Sequence, residues 1–231
     1  MNFEVSVVTP TYNRRKFIPT LIQIYMNQTY PKDKMEWIII DDGRDKVQDL
    51  FEEASKIIPN IRYIRQDEKM RLGAKRNLLN LEAKGQIIVA MDDDDYYPPD
   101  RVEQVVNAFK KNPSINLAGS SEMLLYYTDN KKIYSLGPFH QNHATNGTMG
   151  WRKRYSDVHK YDEYVTKAEE TSFLDNYKNK MIQLDPKKTM LVICHTDNTV
   201  DKTDLREEHS SQGSQSKLKE TRYKLEDFVI D

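Results

Sequence analysis

The sequence predicts an α/β fold built on a mostly parallel central sheet flanked by helices. Three observations carry that expectation. In the first 111 residues, apolar runs of strand length alternate through four rounds with apolar stripes at helical spacing. The polar clusters of this region, Thr9 to Asn13, Asp41-Asp42 and Asp92 to Asp95, each follow an expected strand directly. Ligand crevices of such sheets lie beyond the carboxyl ends of the strands, so three clusters placed there read as one site. Finally, no apolar run approaches the ~18 residues needed to cross a bilayer, which leaves the apolar residues for a folded core.

Phe3 to Thr9 reads as the first strand, with Val5, Val7 and Val8 supplying β-branched bulk. It runs into Pro10-Thr11-Tyr12-Asn13, where Asn13 is expected to cap a helix striped by Ile18, Leu21, Ile22 and Tyr25. Trp37 to Ile40 is the second strand; Val47, Leu50, Phe51, Ala54, Ile57 and Ile58 mark the second helix. Ile61 to Ile64 is a short third strand. A helix from about Arg71 to Lys84 follows, expected to stop at Gly85 through a left-handed cap. Ile87 to Met91 forms the central strand, and Pro98-Pro99 open a helix with Val102, Val105, Val106 and Phe109 as its stripe. Beyond residue 113 the pattern changes. Met123 to Thr128 and Lys132 to Ser135 read as a hairpin, residues 137 to 150 as loop, Thr166 to about Lys178 as a helix and Thr189 to Cys194 as a late strand. From residue 201 the chain is polar, with a link at Ser210 to Ser216 and a terminal helix from Leu218 to Val229.

The 231 residues suffice for one large domain with a substantial core. Lysine and arginine (35) balance aspartate and glutamate (36), so no global field recruits nucleic acid or anionic lipid. The single cysteine, Cys194, permits no internal disulfide and suits a reducing compartment. The segment Met1-Asn2-Phe3-Glu4 lacks the features of a signal peptide. The expected setting is cytoplasmic, and peripheral attachment to a membrane and homo-oligomerisation are both compatible with the sequence.

The run Asp92-Asp93-Asp94-Asp95 directly after the central strand is the sharpest chemical feature. On extended chain, alternate side chains share a side, which would pair Asp92 with Asp94 about 6.5 Å apart. Their repulsion is about 0.6 kcal/mol in water and about 2.5 kcal/mol at an effective dielectric of 20. A cleft therefore calls for a counter-ion, and hard oxygen ligands suit Mg²⁺, Mn²⁺ or Ca²⁺. A solvated acidic turn is the plainer alternative.

Four motifs in register extend this reading. Val5-Ser6-Val7-Val8-Thr9-Pro10-Thr11-Tyr12-Asn13, Ile40-Asp41-Asp42-Gly43, Gly73-Ala74-Lys75-Arg76-Asn77, and Met91 to Asp95 with Pro99-Asp100 together resemble family 2 of the nucleotide-sugar glycosyltransferases, over residues 3 to 111. The resemblance implies the GT-A fold, an inverting reaction and an Mn²⁺ or Mg²⁺ cofactor. It divides the chain into a nucleotide-binding half (1–111), an acceptor half (112–200) and a polar extension (201–231). It also implies a nucleotide-sugar donor, UDP-sugar foremost, with GDP- and dTDP-sugars open, and a hydroxyl acceptor such as a glycan. Pro10, Thr11 and Tyr12 fall where the family holds the nucleotide, Asp41 where it accepts the imide N–H of the base, and Arg71 and Arg76 where it places basic contacts near the phosphates. A solvated helix face is the alternative for the arginines, and core packing for Tyr12; Asp42 is read as a turn residue. Asp92 and Asp93 fall among the nucleotide contacts, Asp94 is the direct metal ligand, and Asp95 an assisting group. His195 lies near a family histidine that reaches metal or diphosphate.

Inversion by single displacement needs a carboxylate to take the acceptor proton. The acidic pair at Glu169-Glu170 resembles the family's base position, commonly Glu-Asp. Thr166-Lys167-Ala168-Glu169 has the form of a capping box, which would occupy Glu169. Glu170 shares a stripe with Phe173, Leu174 and Tyr177 and is therefore the expected base. Trp151 could stack on an acceptor sugar or pack in the core, and the acceptor is expected along Phe139 to Trp151. Arg152-Lys153-Arg154 is read as solvated loop and Cys194 as buried packing. His140 and His143 have ligand-like separation but no sequence partners for zinc. Two rival functions stay open. A nucleotidyltransferase would carry a glycine-rich basic loop after the first strand, which Pro10-Thr11-Tyr12-Asn13 is not. A non-catalytic nucleotide-sugar-binding subunit would tolerate loss of Glu170.

Overall fold

The computed structural model describes residues 3–165, 168–194, 206 and 217–228. The four rounds stand as expected: β1 (Val5–Thr11), α1 (Ile18–Met26), β2 (Met35–Asp41), α2 (Gln48–Ser55), β3 (Ile61–Arg65), α3 (Leu72–Glu82), β4 (Ile87–Ala90) and α4 (Arg101–Lys111). Strands β5 (Leu117–Gly119), β6 (Met123–Tyr127), β7 (Lys132–Leu136) and β8 (Gly150–Arg152) follow. Next come the short helices α5 (Lys153–Val158) and α6 (Glu170–Phe173), then β9 (Met181–Gln183), β10 (Leu191–Cys194) and β11 (Leu218–Glu220).

The main sheet runs in the order β3-β2-β1-β4-β8-β5-β9. Its first four strands are parallel, β8 lies antiparallel between β4 and β5, and β9 is parallel to β5. Alternation along the buried strands feeds two cores. Val5, Val7, Trp37, Ile39 and Val89 face α1, α2 and α4; Val8, Ile38, Ile40, Ile88 and Ala90 face α3, α5 and α6. Trp37 anchors the first core, stacked on Tyr25 (centroids 4.3 Å apart) and edge-on to Phe51 (5.2 Å). Its indole Nε1 donates to Thr9 Oγ1 (3.0 Å), which in turn donates to the Met91 carbonyl (2.7 Å). The middle of β2, the later part of β1 and the exit from β4 are thereby tied together. A second sheet, β10-β6-β7-β11, stands beside the first. The Tyr96–Leu191 bridge links it to the loop after β4.

Several expectations change. Asn13 does not cap α1, whose first turn follows Phe17. It takes a positive φ of 54°, and its Oδ1 accepts from the backbone N–H groups of Arg44 (2.7 Å) and Asp45 (3.1 Å), clamping the β1 and β2 loops together. Gly43 lets them meet: a Cβ there would sit 2.5 Å from the Asn13 nitrogen. Helix α3 ends at Ala83 in extended backbone rather than through a left-handed glycine. Leu218 opens a strand, not a helix; β11 pairs antiparallel with β7 and a 3-10 turn follows at Leu225–Asp227. The helix expected from Thr166 to Lys178 is one turn, because Asp175, Asn176 and Tyr177 adopt positive φ. Trp151 is core: it is buried edge-on to Phe173, with Nε1 donating to Asn80 Oδ1 (3.0 Å). Arg152 and Arg154 are not free loop cations. They donate to the carbonyls of Ile115, Phe109 and Pro113 and to the Asn116 side chain.

Candidate active site

The crevice lies over the carboxyl ends of β1, β2 and β4. Strand β4 stops at Ala90, and the chain turns as the Asp92 N–H donates to the Tyr97 hydroxyl (2.8 Å). Because the aspartates lie beyond the strand, its alternation does not sort them. Asp93 and Asp94, not Asp92 and Asp94, share a cation: Arg14 stands 3.9 Å from Asp93 Oδ1 and 3.5 Å from Asp94 Oδ2. Asp92 instead accepts from Arg76 Nη1 (3.1 Å). Asp95 leans toward β10, accepting from the Ile193 N–H (3.2 Å). Burial pushes the Asp93 carboxyl up to about 7, with Asp94 adding repulsion and Thr11 and Arg14 opposing it. The Thr11 hydroxyl is buried and reaches toward Asp93 without a well-formed hydrogen bond.

Where the nucleotide was expected, Pro10 is buried in β1 beyond the last residue paired with β4, so its missing N–H costs no ladder bond there. Tyr12 is half-buried at the crevice, with Lys69 Nζ 4.4 Å above its ring. Asp41 is committed to the loop that follows its strand. It accepts from the Gly43 N–H (2.8 Å), the Val47 N–H (3.0 Å) and the Tyr63 hydroxyl (2.5 Å), which leaves it poorly placed for the base contact expected of it. Asp42, read as a turn residue, is buried and committed to partners from other segments. It accepts from the Met70 N–H (2.6 Å) and is ion-paired with buried Lys75, which also donates to the Thr11 carbonyl (3.1 Å). Arg71 is exposed, and its guanidinium lies 5.1 Å from the centre of the exposed Tyr164 ring.

Arg76 joins the two halves of the site. Its Nε donates to Glu169 Oε1 (2.9 Å), so Glu169 is engaged in an ion pair with Arg76; the capping box expected of it falls on Thr166. Thr166 lies outside the described residues. Burial works against the Arg76 charge, yet Asp92 and Glu169 hold it above the usual range. Glu170 begins α6, which is pinned by Phe173: that ring stacks on Tyr161 (centroids 4.3 Å apart), meets Tyr155 and Trp151 edge-on, and its carbonyl accepts from the Tyr155 hydroxyl (2.8 Å). Glu170 is only 9% exposed. Burial pushes its carboxyl up to about 7, Glu169 and Asp92 add to the rise, and Arg76 opposes it.

Among the described residues no three histidine, cysteine or carboxylate groups converge as a metal cage, and His195 lies outside them. His140 and His143 are ring neighbours (5.6 Å) of each other and of Tyr177. The aspartate loop nonetheless fits a divalent ion, because its carboxylates already gather a cation, the Arg14 guanidinium. Mg²⁺-type sites use one or two carboxylates completed by substrate phosphates. Sequence reasoning did not single out Arg14 or Lys75, read Asp42 as a turn residue only, and did not foresee the Arg76–Glu169 pair.

The sequence matches the family model described as Glycosyl transferase family 2 over residues 6–207. The chain belongs to that family. Among the family 2 chain's relatives is a poly(ribitol-phosphate) beta-glucosyltransferase of Bacillus spizizenii, 30% identical over 153 residues, covering 58% of this chain and 24% of that protein. The chain spans about a third of the length of the first curated relatives it matches. Two solved structures share the GT-A fold. TarS 1-349 of S. aureus in complex with UDP-GlcNAc has a TM-score of 0.67 at 18% identity, covering 85% of this chain and 60% of that one. The mannosyltransferase PcManGT of Pyrobaculum calidifontis, in complex with GDP-Man and Mn²⁺, has a TM-score of 0.68 at 14% identity, covering 86% and 59%. The described residues include no helix long and apolar enough to cross a membrane.

Proposed function

We propose that this family 2 chain transfers a sugar, with inversion, from a nucleoside-diphosphate sugar to a hydroxyl acceptor, with Mn²⁺ or Mg²⁺ as cofactor. The observation that carries the reading is Glu170, a buried carboxyl raised to about 7 and electrostatically coupled to Arg76 and Asp92. A base poised near neutrality suits removal of a proton from a hydroxyl as it attacks. In the reaction, Glu170 takes the acceptor's hydroxyl proton while that oxygen bonds to the sugar C1. The C1–O bond to the diphosphate breaks, and the nucleoside diphosphate leaves.

The base and ribose are assigned to Tyr12, Thr11 and Pro10, with Asp42 on the same side. The diphosphate is assigned to the aspartate loop, where Asp94 and its neighbours would hold the divalent ion. That ion, when bound, screens the diphosphate and stabilises the charge developing as the bond breaks. A UDP-sugar is the favoured donor and a glycan the favoured acceptor. The UDP-GlcNAc complex of one structural neighbour, the Mn²⁺ complex of another and the polyol-phosphate acceptor in a relative's name support these choices.

The experiment is a panel of UDP-, GDP- and dTDP-sugars with Mn²⁺, scored for slow release of free sugar without acceptor. One nucleotide class is expected to be hydrolysed, and Glu170→Gln to bind that donor with unchanged affinity while losing transfer. Binding without any turnover would instead make the chain a nucleotide-sugar-binding subunit. Turnover by Glu170→Gln at the normal rate would remove the base assignment.

A further inference from the structure

Beyond the aspartate loop, the same edge of the main sheet carries a corner of aromatic rings. Strand β8 is antiparallel to both β4 and β5, and β9 is parallel to β5, so the carboxyl ends of β4, β5 and β9 lie along one edge. The loop holding His140 and His143 sits over the last two of these ends. Gln183, closing β9, donates to the carbonyls of Gln141 (2.8 Å) and His143 (3.2 Å). Ala144 lies so close to Gly119, closing β5, that a Cβ on the glycine would be 2.6 Å from the alanine's own. On this support the His143 ring stacks on Tyr177 (centroids 5.1 Å apart), and His140 stands nearly perpendicular to both (5.6 and 5.2 Å). His140 is exposed; His143 and Tyr177 are half-buried.

Tyr177 reaches the corner through strained backbone. Asp175, Asn176 and Tyr177 take φ values of 48°, 53° and 62° in succession, a conformation that L residues avoid and that clusters at functional sites. The turn brings the ring back to α6, where its hydroxyl bonds to Thr171 Oγ1 (3.0 Å), next in the chain to Glu170. The edge therefore presents Tyr12 at β1, the aspartates at β4 and the rings at β5 and β9, with the helix of Glu170 hydrogen-bonded to the rings. We propose that His140 and Tyr177 form a platform on which a pyranose ring of the acceptor stacks, making the acceptor a saccharide rather than an open-chain polyol phosphate. The inference rests on the proposed transfer reaction with Glu170 as base. A pyranose offers a face of C–H groups that a ring platform removes from water, while its hydroxyls stay free at the rim, one of them for Glu170. An open-chain polyol has no such face, and a phosphate needs a fixed charge. Burial lowers the proton affinity of His143, with His140 and Lys217 adding repulsion, so the inner imidazole is neutral at neutral pH and offers a phosphate none.

The test is a transfer assay on the full chain with whichever nucleotide sugar it hydrolyses. Methyl β-glucoside, methyl β-N-acetylglucosaminide and chitotetraose are offered as acceptors against ribitol and glycerol 3-phosphate. At least one pyranoside should be glycosylated and the open-chain compounds should not. His140→Ala should raise the KM for that pyranoside about three- to tenfold with kcat changed less than about twofold, and His140→Phe, which restores a ring, should recover it. Tyr177→Leu should raise the KM in the same way, and circular dichroism checks that each variant folds. Wild-type KM in both His140→Ala and Tyr177→Leu overturns the inference. So does transfer to the open-chain compounds alone, or to no pyranoside by a chain that still hydrolyses its donor; each of these outcomes leaves the donor reading standing. If no nucleotide sugar is hydrolysed at all, the transfer reading fails, and this inference with it.

Discussion

Glu170 owes its raised pKa to its place more than to any single partner. Burial at the start of α6 disfavours the charged form, and Glu169 and Asp92 add repulsion. The base must be ionised to work, so kcat/KM should rise with pH up to about 7 and level off above it. A profile flat from pH 5 to 8 would contradict the assignment. The same shift predicts a stability effect. A carboxyl whose folded pKa lies above its ordinary 4.5 contributes stability at low pH that is lost as pH climbs toward about 7. At pH 8, Glu170→Gln should therefore be more stable than wild type, by about 1–3 kcal/mol, while transfer falls by about 10²–10⁴-fold. Denaturant titration at pH 5 and pH 8 checks it: the advantage should fade at the lower pH. Asp94→Ala should lose activity and metal dependence together, measured as Mn²⁺-stimulated donor hydrolysis. The burial of Glu170 was legible in the sequence because Phe173 and Leu174, three and four positions on, are apolar. The partners of Glu169, Asp42 and Asp93 were not, since each cation lies far along the chain from its carboxylate: Arg76, Lys75 and Arg14 lie 93, 33 and 79 positions away.

At the scale of elements, β1, β2 and β4 were legible because they are buried on both faces and mostly apolar, and the edge strand β3, only half-buried, by its alternating apolar residues. Their edges were not, because polar residues such as Thr11 and Asp41 continue β1 and β2 into the site. Asn13 misled for a related reason: its side chain suits a helix cap, but the facing β2 loop offers it two N–H donors. Helix α6 was overestimated because periodicity cannot see a backbone that turns left-handed at Asp175. The ring pile holding the β1–β2 pair gives a direct prediction. Trp37→Ala should cost about 3–5 kcal/mol in urea unfolding, and Trp37→Phe distinctly less. A loss under about 1 kcal/mol for the alanine variant would mean the Tyr25–Trp37–Phe51 pile is not a support of the site.

On the scale of the whole molecule, the two sheets divide the work. The parallel half of the main sheet presents the crevice, and the second sheet is stitched to it where the aspartate loop meets β10. The sequence marked the last stretch as a polar tail, yet Leu218–Glu220 closes the second sheet along β7, and Phe228 is buried. Three-residue strands carry too little pattern to be recognised locally, and β11 exists only because β7 offers it an unpaired edge. Truncation after residue 216 should therefore lower stability by about 1.5–3 kcal/mol, the worth of one buried phenylalanine, seen as a lower melting temperature. An unchanged melting temperature would show that the strand is not part of the fold's support. The central claim is that a divalent ion and a diphosphate meet over the end of β4. Crystals soaked with Mn²⁺ and UDP test it most directly. The account predicts manganese on Asp94 with the diphosphate against it and the uracil ring at Tyr12; nucleotide bound elsewhere, or an aspartate loop that takes no metal beside bound UDP, would contradict it.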